Sequence, residues 1–179
     1  MRKLARKPLL CVAVLTVAGV GVWMAPGVLA KDEAPADPAL ERTRETVRML
    51  DDVYKTTIVL ITDKYVHDEK DFPAGSAAVA LFRAIGKKGW HEVRLLDATG
   101  DPIEQNNAPR DAFEKLAIEK LKKGDSYFEE IVKADGKRTL RAATPVPVVS
   151  KKCILCHAHY ADVKEGAPIG ALSYTLSIK

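Results

Sequence analysis

The chain has 179 residues, 47% of them hydrophobic and 29% charged, which suits one domain with a real core and excludes a disordered or fibrous polypeptide. Its net charge of +4 resides in Arg2, Lys3, Arg6 and Lys7, and residues 31–179 balance their 24 acidic side chains with as many basic ones. No basic patch survives to argue for a nucleic-acid partner.

The four basic residues open an export signal. An uncharged stretch from Leu9 to Ala25 follows them, then Pro26, Gly27 and the small-residue run Val28-Leu29-Ala30. This pattern predicts a secretory leader over residues 1–30 with cleavage after Ala30. The alternative is an uncleaved anchor, since Leu9 to Ala30 is just long enough to span a bilayer. In either case the remainder is exported, and the periplasm is its expected compartment. Cys11 leaves with the leader, so the exported part keeps two cysteines. Residues 31–36 are a charged, Ala/Pro-rich linker, and residues 37–179 form the domain.

Asp37-Pro38 marks a helix start, with Asp37 as cap and Pro38 in the first turn. Leu40, Val47, Leu50, Tyr54, Ile58, Ile61 and Tyr65 recur at helical spacing to about Val66, with Met49, Val53 and Leu60 as a flanking stripe. A helix this long either lies across the whole domain or forms the seam of a homodimer. His67 to Gly75 is a polar loop, and Ser76 to Lys87 a second, Ala-rich helix stopped by Gly89. Trp90 to Asp97 reads as a strand, with turns at 98–102 and 106–109. A helix over Arg110 to Lys123 follows. Tyr127 to Val132 and Arg138 to Val149 then form a hairpin around Ala134-Asp135-Gly136-Lys137. The alternation of Leu172, Tyr174, Leu176 and Ile178 makes Gly170 to Ile178 the last strand. This order predicts an α+β fold with an antiparallel sheet.

Between the last two strands stands Cys153-Ile154-Leu155-Cys156-His157. C-x-x-C-H is the attachment signature of a c-type haem. Each thiol forms a thioether with one of two vinyl groups on the same porphyrin edge, and the next residue, His157, then lies under the ring as proximal iron ligand. Three other readings compete. A zinc site could use Cys153, Cys156, His157 and His159, but the histidines are too close for the usual spacing. A thioredoxin-like pair belongs at the start of a βαβ unit, and a disulfide would close a very small loop. Export favours haem, because bacterial cytochrome c maturation takes place outside the cytoplasmic membrane. One motif implies one haem c, attached by the maturation machinery.

Further pieces surround the motif: Gly89-Trp90 leading into a strand, Asn107-Ala108-Pro109 followed by Phe113-Glu114, Arg141-Ala142 and Pro145, and Gly170-Ala171 opening the last strand. On these the stretch from Val53 to Ile178 resembles a family of exported bacterial haem-binding domains of unknown function with a PAS-like fold. The resemblance implies a PAS-like sheet enclosing haem c, a role in redox or ligand sensing, and Cys153, Cys156 and His157 as the haem residues. The chain departs from the family twice. Ile103-Glu104-Gln105-Asn106 stands where Arg-Asn-Pro is frequent, and the helix Ser76–Lys87 lacks a cysteine that could serve as opposite ligand.

The sixth iron ligand is therefore open. His91 shares a strand face with Val93 and Leu95 and is the first choice; a core histidine is its alternative role. Met49, the one methionine after the leader, is the second choice, with core filling as its alternative. His67 lies in a charged loop and reads as solvated, and His159 is too close in sequence to His157 to reach the opposite face. A vacant position is the remaining choice. Val146, Val148, Val149 and Tyr160 are near enough in sequence to line the ring, and Arg94, Arg141, Lys151 and Lys152 could hold propionates.

Three functions fit. The first is a periplasmic haem sensor or binding module whose state a redox or signalling partner protein reads. The second is a monohaem cytochrome c electron carrier. A haem enzyme such as a peroxidase ranks last, because no Arg–His pair marks a distal site. Membrane association is expected only if the leader stays uncleaved.

Overall fold

A computed structural model describes residues 36–68, 70–164 and 166–179. The leader expected over residues 1–30, and its cleavage site, lie outside the described residues. Helix α1 runs from Pro38 to Tyr65 and α2 from Ala74 to Gly86. Strand β1 (Glu92–Asp97) leads through a short 3-10 turn (Gln105–Asn107) to α3 (Ala112–Lys122). The hairpin β2 (Phe128–Ala134) and β3 (Lys137–Pro147), the one-turn helix α4 (Lys152–Cys156), a 3-10 turn (Ala158–Asp162) and β4 (Pro168–Ser177) complete it. The four strands form one antiparallel sheet in the order β1-β4-β3-β2. Among the described residues no helix is long and apolar enough to cross a membrane.

Local signals set the elements. The Asp37 carboxylate accepts the Leu40 N–H at 3.1 Å and caps α1, while also pairing with Arg138. Asp111 caps α3 in the same way through Glu114 N–H at 2.9 Å. Asp135 and Gly136, both with positive φ, turn the β2–β3 hairpin with Ala134 opposite Lys137, as a two-residue turn requires. Gly170 is a case of close approach: a Cβ there would meet the Leu96 carbonyl oxygen at 2.7 Å.

Strands β1, β3 and β4 are covered on both faces, while most of the edge strand β2 is exposed. On one, Leu40, Val47 and Tyr54 of α1 and Ala78 and Phe82 of α2 cover Val93, Leu140, Ala142, Leu172, Tyr174 and Leu176. On the other, Phe113, Ala117 and Leu121 of α3 cover Leu96, Ala143 and Ala171. Alternate residues along each strand thus serve opposite cores. Helix α1 spans the sheet from the β2–β3 hairpin end, where Arg42 bonds the Lys179 carbonyl, to the far end, where Lys152 meets Thr62 and Asp63. Midway, the Asp51 carboxylate accepts from Thr144 Oγ1 (2.6 Å), Tyr174 Oη (2.9 Å) and Lys55 Nζ (2.9 Å).

The expected face of α1 needs one correction. Tyr65 is 75% exposed, because the buried line is completed by Thr43 and Thr62 instead. Their hydroxyls donate to the carbonyls of Ala39 and Ile58, so burial leaves no orphaned group. The flanking stripe of Met49, Val53 and Leu60 is exposed.

Candidate functional site

The site is built where β3 ends and β4 begins. A register shift at Val146/Pro147 releases the chain from the sheet. Ser150 and Lys151 carbonyls accept the Cys153 and Ile154 N–H groups and start α4. The segment is therefore one helical turn, and residues three apart on a helix share a face. Both Cys153 and Cys156 are free thiols and partly accessible. Among the described residues no three His, Cys, Asp or Glu side chains converge as a metal-binding group.

At His157 the backbone leaves helical geometry (φ −129, ψ 68), although its N–H still reaches the Cys153 carbonyl at 3.2 Å. The imidazole stacks on Tyr160 with centroids 4.5 Å apart and planes at 7°. His159 lies edge-on to both rings. Burial pushes the His157 imidazole below its ordinary pKa, the neighbouring His159 adds to this, and Asp97 opposes it. The neutral ring is the form that ligates a metal. Its Nδ1 is buried with no hydrogen-bond partner, an uncommon state for a buried nitrogen that calls for an explanation. Two thiols on one face of a helical turn followed by an imidazole fit the donor set of a C-x-x-C-H haem site.

The structure separates the two first choices for the opposite ligand from this set. His91 does face inward, but its Nε2 is 2.7 Å from Tyr54 Oη. It precedes β1, whereas His157 feels Asp97 at the other end of that strand. Six extended residues put His91 roughly 20 Å from Asp97. Met49 is exposed on α1, thirteen residues before Thr62, or roughly 20 Å along the helix from the turn that meets Lys152. Neither reaches the motif.

Two of the four cations considered for propionates are committed elsewhere. Arg94 binds the Glu114 carboxylate and the Asn106 carbonyl (2.8 Å). Arg141 pairs with Asp111 at 2.8 Å and lies 4.2 Å over the Phe113 ring. Both belong to the α3 side. Lys152 donates to the carbonyls of Thr62 (3.4 Å) and Asp63 (2.6 Å), and Lys151 is exposed. Of the expected ring-lining residues, Val146 packs against the α1/α2 core, Val149 is exposed, and Tyr160 is held by His157. A cavity of about 270 Å³ beside the motif is lined by Ala98, Thr99, Lys122, His159, Val163, Ala167 and Pro168.

Sequence reasoning missed the role of Glu114. It is almost fully buried, takes Arg94 and the Arg110 N–H (2.8 Å), and ties the Asn106–Pro109 segment to α3. A signal was present, because an acid three residues after a capping Asp forms a capping-box pattern.

No curated protein matches the sequence. Among solved structures the fold is similar to the crystal structure of the cyanobacterial heme-protein Tll0287. The TM-score is 0.54 at 15% identity, over 79% of this chain and 97% of that one. The sequence itself matches the Tll0287-like family over residues 33–172, most of its length. On that match the chain belongs to the Tll0287-like family.

Proposed function

We propose that this chain is an exported, periplasmic haem-binding module carrying one covalently attached haem c. Cys153 and Cys156 form the thioethers, and His157 is the proximal iron ligand. The observation that carries the reading is the one-faced pair of free thiols on α4 followed by a buried imidazole with an unpartnered nitrogen. A heme-protein with a similar fold supports it. When bound, the haem supplies one-electron redox chemistry and, at any open iron position, gas binding. The protein's own residues hold it: α4 sets the spacing of the thiols, Tyr160 orients the His157 ring, and burial keeps that ring neutral.

The role we assign is a PAS-like sensor of redox state or of a small ligand, read by a partner protein. Its support is α1, which spans the sheet, meets Lys152, the residue before the motif, at one end and exposes an apolar stripe along its length. No catalytic residue belongs to this reading. The second reading, an electron carrier, is favoured by the partial exposure of both thiols, since a haem attached through them would be held near the surface.

Expression with the cytochrome c maturation machinery, followed by a haem-stained denaturing gel, tests attachment. A stained band that disappears in Cys153→Ala/Cys156→Ala supports it, and a colourless wild-type protein overturns it. Carbon monoxide then separates the roles: uptake by the reduced protein favours ligand sensing, and indifference favours electron transfer or redox sensing.

A further inference from the structure

An axial ligand opposite His157 has to come from a different segment of chain, because an adjacent residue cannot pass to the other face of a porphyrin. The sequence has four histidines, at 67, 91, 157 and 159, and Met49 is the only thioether after residue 30. His91 and Met49 are remote from the motif. His159 is two residues from His157 and packs on the same side, against Tyr160.

His67 remains, and the fold carries it toward the motif. Helix α1 ends at Tyr65, and Val66 turns its N–H back to the Thr62 carbonyl. That carbonyl and the next, of Asp63, are the acceptors of the Lys152 ammonium. Lys152 immediately precedes Cys153, so the end of α1 is docked onto the haem-attachment turn. Beyond it the Asp71 carboxylate accepts the N–H groups of His67 (2.6 Å) and Asp68 (3.1 Å), which fixes the backbone from which His67 projects. Two charges report the same neighbourhood. The Asp63 carboxyl is lowered first by its hydrogen bond to Lys64, and then by Lys152 and His67 together. Asp71 is lowered first by those two backbone bonds, and it too feels both His67 and Lys152. The His67 side chain is exposed.

Resting on the haem reading above, we propose that His67, from the α1–α2 loop, is the iron ligand opposite His157. The loop is then the sensing element: dissociation of His67 opens the iron to an external ligand, and the Lys152 contact ties that event to the end of α1.

The test uses the full-length holoprotein and the variants His67→Ala, His67→Met and His91→Ala, each matured in the periplasm. The readouts are optical and magnetic spectra in both oxidation states. Wild type is expected to be low-spin. His67→Ala should lose the low-spin ferric signal, take up carbon monoxide when reduced, and regain the low-spin signal on addition of free imidazole. His67→Met should shift the potential upward, as thioether replaces imidazole, and His91→Ala should match wild type. A His67→Ala spectrum identical to wild type, or a wild type already high-spin, overturns the proposal while leaving haem attachment standing. Failure of the haem reading is distinct, since no protein in the series would then stain for haem.

Discussion

The hydroxyl of Tyr54 lies 2.7 Å from Nε2 of His91, and the two rings are 5.9 Å apart within the core beneath α1. The pair locks α1 to the start of β1 at a point where Phe82 of α2 also packs edge-on against Tyr54. Burial holds His91 below its ordinary pKa of 6.5. The unfolded chain therefore takes up a proton at His91 more readily than the folded one. The contribution to stability is full above about pH 6.5 and declines as the pH falls below it. His91→Ala should cost about 1–3 kcal/mol at pH 8, through the orphaned Tyr54 hydroxyl. It should also flatten the loss of stability below pH 6.5 and leave the haem spectrum intact. Urea unfolding at pH 8 and pH 5.5, with optical spectra, measures all three.

Glu114 gives a second test. Its buried carboxylate joins Arg94 on β1, Arg141 at 3.9 Å on β3, and the Arg110 N–H at the entry to α3. Glu114→Ala would remove the carboxylate partner of Arg94 and strand the Arg110 backbone donor, at a cost of about 3–5 kcal/mol. Glu114→Gln keeps part of the hydrogen bonding and should cost less. Because the network lies on the α3 side, haem attachment should persist in whatever fraction of either variant folds. Chemical denaturation of wild type and both variants, with haem content, decides this.

Much of the fold was legible because local patterns encode it. Asp37-Pro38 fixed the start of α1, Asp135-Gly136 the hairpin, and the alternation of Leu172, Tyr174 and Leu176 the inner face of β4. The long-range pairing was not legible. Nothing local says that β4 inserts between β1 and β3, and that placement sends His91 to the end of the sheet away from the motif. Its inward orientation was read correctly and its position along the sheet was not. Tyr65 misled for a related reason, since buried threonines with hydroxyls bonded to the preceding turn are invisible to a search for apolar periodicity. At the motif, the residue identities carried the chemistry. The α4 turn and the docking of Lys152 on α1 depend on contacts ninety residues apart in sequence.

The stripe of Met49, Val53 and Leu60 on the outer face of α1 tests whether two copies pair through this helix. All three are more than half exposed in the single chain. If they form a seam, Met49→Lys/Leu60→Lys should convert a dimer to a monomer in light scattering, with thermal stability at low protein concentration unchanged. A wild type that is monomeric at every concentration removes the homodimer and leaves the stripe to another partner.

His157→Ala addresses the proximal side of the haem directly. The thioethers are formed by Cys153 and Cys156, and both thiols stay on the same face of α4 whatever follows Cys156, so haem attachment should survive. The axial field should not. Removing the imidazole is expected to abolish the low-spin spectrum and shift the potential, because the iron loses the ligand that sets its spin state. The protein itself should lose only about 1 kcal/mol, since the main packing loss is the stacked contact with Tyr160. Small destabilisation with a large spectral change is the signature of a ligand, whereas a structural histidine would give the reverse. A haem-stained band, spectra in both oxidation states and a thermal melt on the same preparation separate the two. An unchanged spectrum would exclude His157 as the proximal ligand and point to His159, whose ring lies edge-on to it.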